Sequence, residues 1–245
     1  MRRRNQIFIV VLAILGVIGV GFVVWAETPL GPMSEAVNAL KSDSSVVVTV
    51  GEWLVFQPSD AANNVGYVIY PGGRVDYRSY SPVAHALASE GYLVVIVHMP
   101  LNLAVLGADS AQKVIDAFPG VGSWAVGGHS LGGTMAAQYA SHAPPMVKGL
   151  VLWASYPASG NDLSRRGISV ATIHGVLDGL VSSAQIDESM KMLPIDTIRV
   201  EIEGGNHAQF GWYGPQPGDN EATISREAQQ ARVVESTLQL LKRIG

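Results

Sequence analysis

The chain has 245 residues, enough for one domain with a sizeable core, and it is 48% hydrophobic with a formal net charge of -4. That balance, with no basic run beyond Arg2-Arg3-Arg4, argues against a nucleic-acid-binding protein. Cysteine is absent, which excludes disulfides, a Cys nucleophile and Cys-ligated metal.

Arg2 to Arg4 precede Ile7–Trp25, an uncharged apolar run with no polar face. A run of this length spans a bilayer as a helix. Arginines on its N-terminal flank keep that end in the cytoplasm and place the rest of the chain outside. The rival is a secretory signal cleaved near Ala26, giving a secreted protein. The run exceeds a usual signal core, which favours a retained anchor. Residues 1–26 are therefore read as a single-pass transmembrane anchor, or an uncleaved signal. Residues 27–45, which mix Pro, Gly, Ser and charge, are read as a tether with a short helix near Ser34–Leu40. Residues 46–245 are read as the folded body.

Within the body, Val46–Val50 and Trp53–Phe56 read as strands joined at Gly51-Glu52, and Asp60–Asn64 as a polar loop. Tyr67–Tyr70 is a short apolar strand ending in Pro71-Gly72-Gly73. Tyr80–Glu90 has helical spacing, and Leu93–Val97 is a continuous β-branched run typical of a strand covered on both faces. A helix over Ala108–Phe118 follows, then an apolar strand from Trp124 and a helix from Thr134. Gly149–Trp153, Val170–His174 and Thr197–Ile202 read as further strands, with a helix over Ala184–Leu193. Thr223–Ile244 closes the chain as an amphipathic helix, with Ala228, Ala231, Val234, Leu238 and Leu241 on its apolar face. Alternating strands and helices predict an α/β fold: a mostly parallel sheet, helices on both faces and an antiparallel N-terminal edge. Gly120-Val121-Gly122 loosely fits a dinucleotide fingerprint, but it precedes a strand where that motif must follow one.

The chemistry centres on Gly128-His129-Ser130-Leu131-Gly132. Strand, sharp turn at a Ser, then helix is the context that lifts a serine hydroxyl clear of the backbone as a nucleophile. A serine needs a base, usually a His oriented by a carboxylate. In parallel sheets such groups gather beyond the carboxyl ends of the strands. Asp178, in a Gly-flanked loop after the Val170 strand, is the acid candidate, although Asp-Gly is also a common turn pair. Of six histidines, His207 follows the last strand in a Gly-rich loop and is the base candidate. His174 is its only serious rival, because His129 lies inside the turn, His85 and His142 lie on helices, and His98 follows a strand but precedes Ser130. Oxyanion donors should be the N–H of Leu131, at the helix start, and one from the loop after the Tyr67 strand, with Gly73 first and Arg74 next.

These segments together resemble the α/β-hydrolase superfamily. The nearest likeness is its compact, lidless "alpha/beta hydrolase fold-5" type, related in shape to dienelactone hydrolases. The likeness rests on Tyr70–Asp76, Val97–Leu101, Gly128–Gly133 and Gly204–Gly211. It departs from many dienelactone-type relatives in using Ser in place of Cys, and from many lipases in having Pro71 where they carry a His.

Only Pro157–Ser169 separates the strands where many relatives insert a lid, so the site should be shallow or covered only by loops. Met99, Trp153, Tyr156, Phe210 and Trp212 are the candidate substrate walls, and they favour an apolar acyl or alkyl group. The expected function is a membrane-tethered serine hydrolase, carboxylesterase-like, acting on a small-molecule or lipid-like ester. It would use no cofactor and no metal and bind no nucleic acid. The same triad could serve an acyltransferase, and a non-catalytic ligand-binding fold is the reading from a different class.

Overall fold

The computed structural model describes residues 2–60 and 63–245, so the loop expected over Asp60–Asn64 lies partly outside the described residues. Eight strands form one sheet: β1 (Val46–Val50), β2 (Trp53–Pro58), β3 (Val65–Tyr70), β4 (Leu93–Val97), β5 (Ser123–His129), β6 (Val147–Trp153), β7 (Ser169–Gly175) and β8 (Ile198–Ile202). Their spatial order is β1-β2-β4-β3-β5-β6-β7-β8. Pairing is antiparallel for β1/β2 and β2/β4 and parallel throughout the rest, the edge arrangement that the sequence predicts.

Strands β3, β4 and β5 are buried along their whole length, as a parallel sheet covered on both faces requires. Alternate residues feed two cores. Tyr67, Ile69, Val94, Ile96 and Trp153 point to one, which α3 (Ser81–Ser89) and α7 (Arg226–Ile244) cover. Val68, Val95, Trp124, Val126 and Leu152 point to the other, beneath α4 (Ser110–Ala117) and α5 (Leu131–His142). Helix α6 (Ser183–Ser189) opens with a capping box between Ser182 and Gln185.

The chain turns from β3 to β4 on one side, then returns to place β5 on the other side of β3. This reversal opens a crevice at the carboxyl ends of β3 and β5, where α/β sheets hold their ligands.

Helix α7 corrects one detail of the sequence reading. Leu241 is buried and Val234 and Leu238 are half-buried against the core, but Ala228 and Ala231 are exposed, and the buried positions include Gln229, Val233, Thr237, Leu240 and Ile244. The buried face is turned towards positions that include polar Gln229 and Thr237, which apolar periodicity does not count.

Helix α1 (Arg2–Ala26) contains an apolar stretch, Asn5–Ala26, of mean hydropathy 3.2 that is long enough to cross a membrane and is not packed inside the body. Its last turn docks. Ala26 is fully buried, and the segment 27–45, expected to be a tether, lies along the body. Leu30 bridges Val75 and accepts the Asp76 N–H, the Met33 N–H donates to the Trp212 carbonyl, and α2 (Ser34–Asn38) buries Ala36.

Candidate active site

Ser130 sits between the end of β5 and the start of α5 with φ 52° and ψ −124°, a conformation that non-glycine residues avoid. Such strain costs about 1–3 kcal/mol and persists only where surroundings over-determine it. Here the Ser130 N–H donates to the Trp153 carbonyl (2.9 Å), and the Ser130 carbonyl accepts from the Thr134 N–H (3.1 Å) and the Ser155 hydroxyl (2.7 Å). The flanking glycines are required by crowding. A Cβ on Gly128 would lie 2.2 Å from the Tyr70 carbonyl oxygen, and one on Gly132 would lie 2.3 Å from the Pro71 oxygen. Any side chain there would push the turn away from the loop after β3.

Asp178 and His207 meet at the same edge of the sheet. His207 Nδ1 lies 2.8 Å from Asp178 Oδ2, with both side chains essentially inaccessible. The other carboxylate oxygen, Oδ1, accepts the backbone N–H groups of Leu180 (2.8 Å) and Val181 (2.7 Å). With Oδ1 committed to two backbone donors, Oδ2 accepts from His207. The proton between the pair then belongs to His207 Nδ1, which leaves Nε2 as an acceptor. That Nε2 is buried and has no partner among the described residues. The His207 ring packs against His129, beside Ser130, with ring centroids 4.4 Å apart.

The loop after β3 offers three successive N–H groups, and two are engaged. Gly72 donates to the Tyr80 hydroxyl (3.0 Å), and Arg74 donates to the Asn102 carbonyl (2.8 Å). Gly73 donates to no acceptor among the described residues. A Cβ on Gly73 would lie 3.1 Å from Leu131 Cδ2, so Gly73 lies against the Leu131 side chain. Leu131 is the first residue of α5, and its N–H therefore has no intrahelical acceptor. Two free N–H groups beside a serine elbow can receive an oxyanion.

The other expected residues are distributed as follows. His174 is buried on β7 with its Nε2 3.8 Å from Glu201, while Asp178 pairs with His207. Burial holds the His174 imidazole below its ordinary pKa. Met99, Trp153 and Phe210 are buried in the two cores, and Trp212 is nearly so. Trp153 donates its indole N–H to Thr237 of α7, and Phe210 stacks on His129, so both serve as supports beneath the site. Tyr156 is half-buried, and its hydroxyl accepts from Gln185. The Arg74 side chain turns away from Gly73 and caps helix α1.

Three supports escape the sequence reading. The Tyr80 hydroxyl accepts from Gly72 N–H and, 2.9 Å from His129 Nδ1, gives its own proton to that nitrogen, tying the loop after β3 to the serine turn. Burial, and then the neighbouring His207, push the pKa of His129 well below the usual imidazole value, so it is the neutral acceptor this bond needs. Asp219 accepts the N–H groups of Gly179 (3.0 Å), His207 (3.2 Å) and Ala208 (2.8 Å), fastening the Asp178 loop to the His207 loop. Gln229 of α7 brackets Asn206, accepting its N–H (3.0 Å) and donating to its carbonyl (2.8 Å). The Gly218-Asp219-Asn220 sequence reads only as a turn, so no local signal marks Asp219.

The fold agrees with comparison to known proteins. The model of the alpha/beta hydrolase family matches residues 66–231. The chain belongs to the alpha/beta hydrolase family and is a hydrolase of that family. Its fold is shared by the esterase domain of a Rhodothermus marinus protein (12% identity, TM-score 0.61, covering 82% of this chain and 99% of that one). Thermogutta terrifontis esterase 2, phosphonylated by sarin, is also similar (14%, TM-score 0.63, 84% and 97%). So is a cold-adapted esterase from an Arctic intertidal metagenomic library (16%, TM-score 0.57, 82% and 96%). Curated protein sequences contain no match to this chain.

Proposed function

We propose that the chain is a serine carboxylesterase working through Ser130, His207 and Asp178. The observation that carries this reading is the Asp178–His207 pair, which leaves one buried ring nitrogen unpartnered beside the strained Ser130 turn. Ser130 Oγ attacks the ester carbonyl as its proton passes to His207 Nε2, and Asp178 stabilises the imidazolium that results. The negative charge on the carbonyl oxygen is received by the N–H groups of Gly73 and Leu131, helped by the amino end of α5. Collapse expels the alcohol, which takes the proton from His207. A water, deprotonated by His207, then attacks the acyl group on Ser130. The carboxylic acid leaves and Ser130 regains its proton. Every proton is moved by side chains of the chain itself. The sarin adduct of the Thermogutta terrifontis esterase is consistent with this reading.

The N-terminal helix serves as a retained anchor, with its arginine flank in the cytoplasm and the body outside. Support comes from the docking of its last turn: the Val24-Trp25-Ala26 segment, where a signal would be cut, is helical, and Ala26 is buried against the body.

A fluorophosphonate probe and p-nitrophenyl esters test the chemistry. Wild-type protein should react with both. Ser130→Ala should abolish labelling and lower turnover by at least ~10³-fold while leaving the fold intact. Turnover by Ser130→Ala at the wild-type rate would overturn the assignment.

A further inference from the structure

The end of α1 is fixed to the body by a specific cap. A helix leaves its last carbonyls without intrahelical partners. Here the Trp25 carbonyl accepts from Arg74 Nε (2.9 Å), and the Ala26 carbonyl accepts from Asn102 Nδ2 (3.1 Å). Arg74 also donates to the Thr28 carbonyl (2.8 Å), and its guanidinium lies 4.2 Å from the centre of the Trp25 ring. Arg74 N–H binds the Asn102 carbonyl, so both capping residues belong to one unit at the carboxyl edge of the sheet. The cap supplies a cation where the helix dipole is negative.

This cap sets the height of the body relative to the bilayer. Trp25 ends the apolar run and is 47% exposed, as suits an aromatic at the membrane–water interface. Asn102, bonded to Ala26, must lie at nearly the same depth. The chain then runs from Asn102 directly into the short turn Ala104–Leu106, where Val105 and Leu106 are 52% and 53% exposed. That turn packs against α5, the helix that begins beside Ser130.

We propose that the Val105–Leu106 turn dips into the lipid surface beside the anchor and seats the carboxyl edge of the sheet on the bilayer. An apolar pair next to a membrane-helix exit meets lipid headgroups and acyl chains there, which is the chemistry of an interfacial anchor. On the esterase reading of Ser130, on which this extension rests, the opening takes acyl esters dissolved in the bilayer.

The test exploits the absence of cysteine from the chain. Full-length Val105→Cys and Leu106→Cys, each labelled with an environment-sensitive maleimide dye, are reconstituted into phosphatidylcholine vesicles containing headgroup-proximal spin-labelled lipid. Ile195→Cys is the control: Ile195 is 106% exposed and precedes β8, at the opposite edge of the sheet. The proposal expects quenching at positions 105 and 106 roughly threefold or more above that at 195. Equal quenching at all three positions overturns it.

A second arm uses the double variant Val105→Glu/Leu106→Glu. Its ratio of turnover on p-nitrophenyl palmitate in vesicles to turnover on water-soluble p-nitrophenyl acetate should fall about tenfold. An unchanged ratio overturns delivery from the membrane. Lipid quenching with no hydrolysis of either ester and no fluorophosphonate labelling supports the seating while defeating the esterase reading, so the two fail separately.

Discussion

At the scale of single residues, the site depends on polar groups that fasten loops to one another. Asp219 is the clearest. Its carboxylate takes N–H groups from both the Asp178 loop and the His207 loop, and these loops carry the pair that must stay 2.8 Å apart. Asp219→Ala leaves those donors without an acceptor, at a cost of about 1–3 kcal/mol for each that stays dry. We expect the melting temperature of Asp219→Ala to fall. We also expect kcat for p-nitrophenyl acetate to drop ~10–100-fold, because a small displacement of His207 misaligns proton transfer. Wild-type kcat in a destabilised variant would limit Asp219 to a structural role. Ser130, Asp178 and His207 were legible in the sequence because each stands in a glycine-rich loop after a strand, in the order this chemistry uses. Asp219 was not, because its partners lie 11 to 40 residues away and backbone N–H groups leave no trace in a sequence.

At the scale of elements, the strands were read to within a few residues, since β-branched runs bounded by glycine and proline give a strong local signal. The apolar face of α7 is legible in part: Val234, Leu238 and Leu241 pack on the core, while Ala228 and Ala231 are exposed. Helix periodicity was assigned from apolar residues, but the helix must also present Gln229 to Asn206, the residue before His207. A buried amide that satisfies two backbone groups of the His207 loop is worth more there than an apolar side chain. Gln229→Leu therefore adds apolar area and still destabilises: it leaves the Asn206 N–H and carbonyl unpaired, by about 1–3 kcal/mol each. Denaturant melts of the full chain in detergent should show a lower midpoint. A gain in stability would mean that water replaces the amide at no cost. Most of the expected substrate walls are buried side chains. Trp153, Phe210 and Met99 are large apolar residues near strand ends, where the sequence alone does not separate a pocket wall from the packing beneath it.

At the scale of the whole molecule, the histidines couple the fold to pH. His129 is fully buried, and burial followed by the neighbouring His207 lowers its pKa well below 6.5. His174 is lowered as well, chiefly by burial, with Glu201 opposing. Both are neutral in the native state near pH 7 and gain protons more readily once unfolded. The unfolded chain therefore binds more protons below pH 6.5, and stability falls as pH drops from that value towards the lowered native pKa values. For His129 the slope approaches about 1.4 kcal/mol per pH unit where the unfolded imidazole is protonated and the native one is not. The loss also has a structural route, because protonated Nδ1 cannot accept from Tyr80, and Tyr80 holds Gly72 next to Gly73. His129→Gln keeps an acceptor for Tyr80 and removes the titration. Thermal unfolding of the full chain in detergent, followed from pH 7.5 to 5, should show the wild type losing stability more steeply than His129→Gln below pH 6.5. Parallel profiles would mean that His129 takes up its proton in the native state, and that the Tyr80–His129 bond is not what holds Gly73 in place.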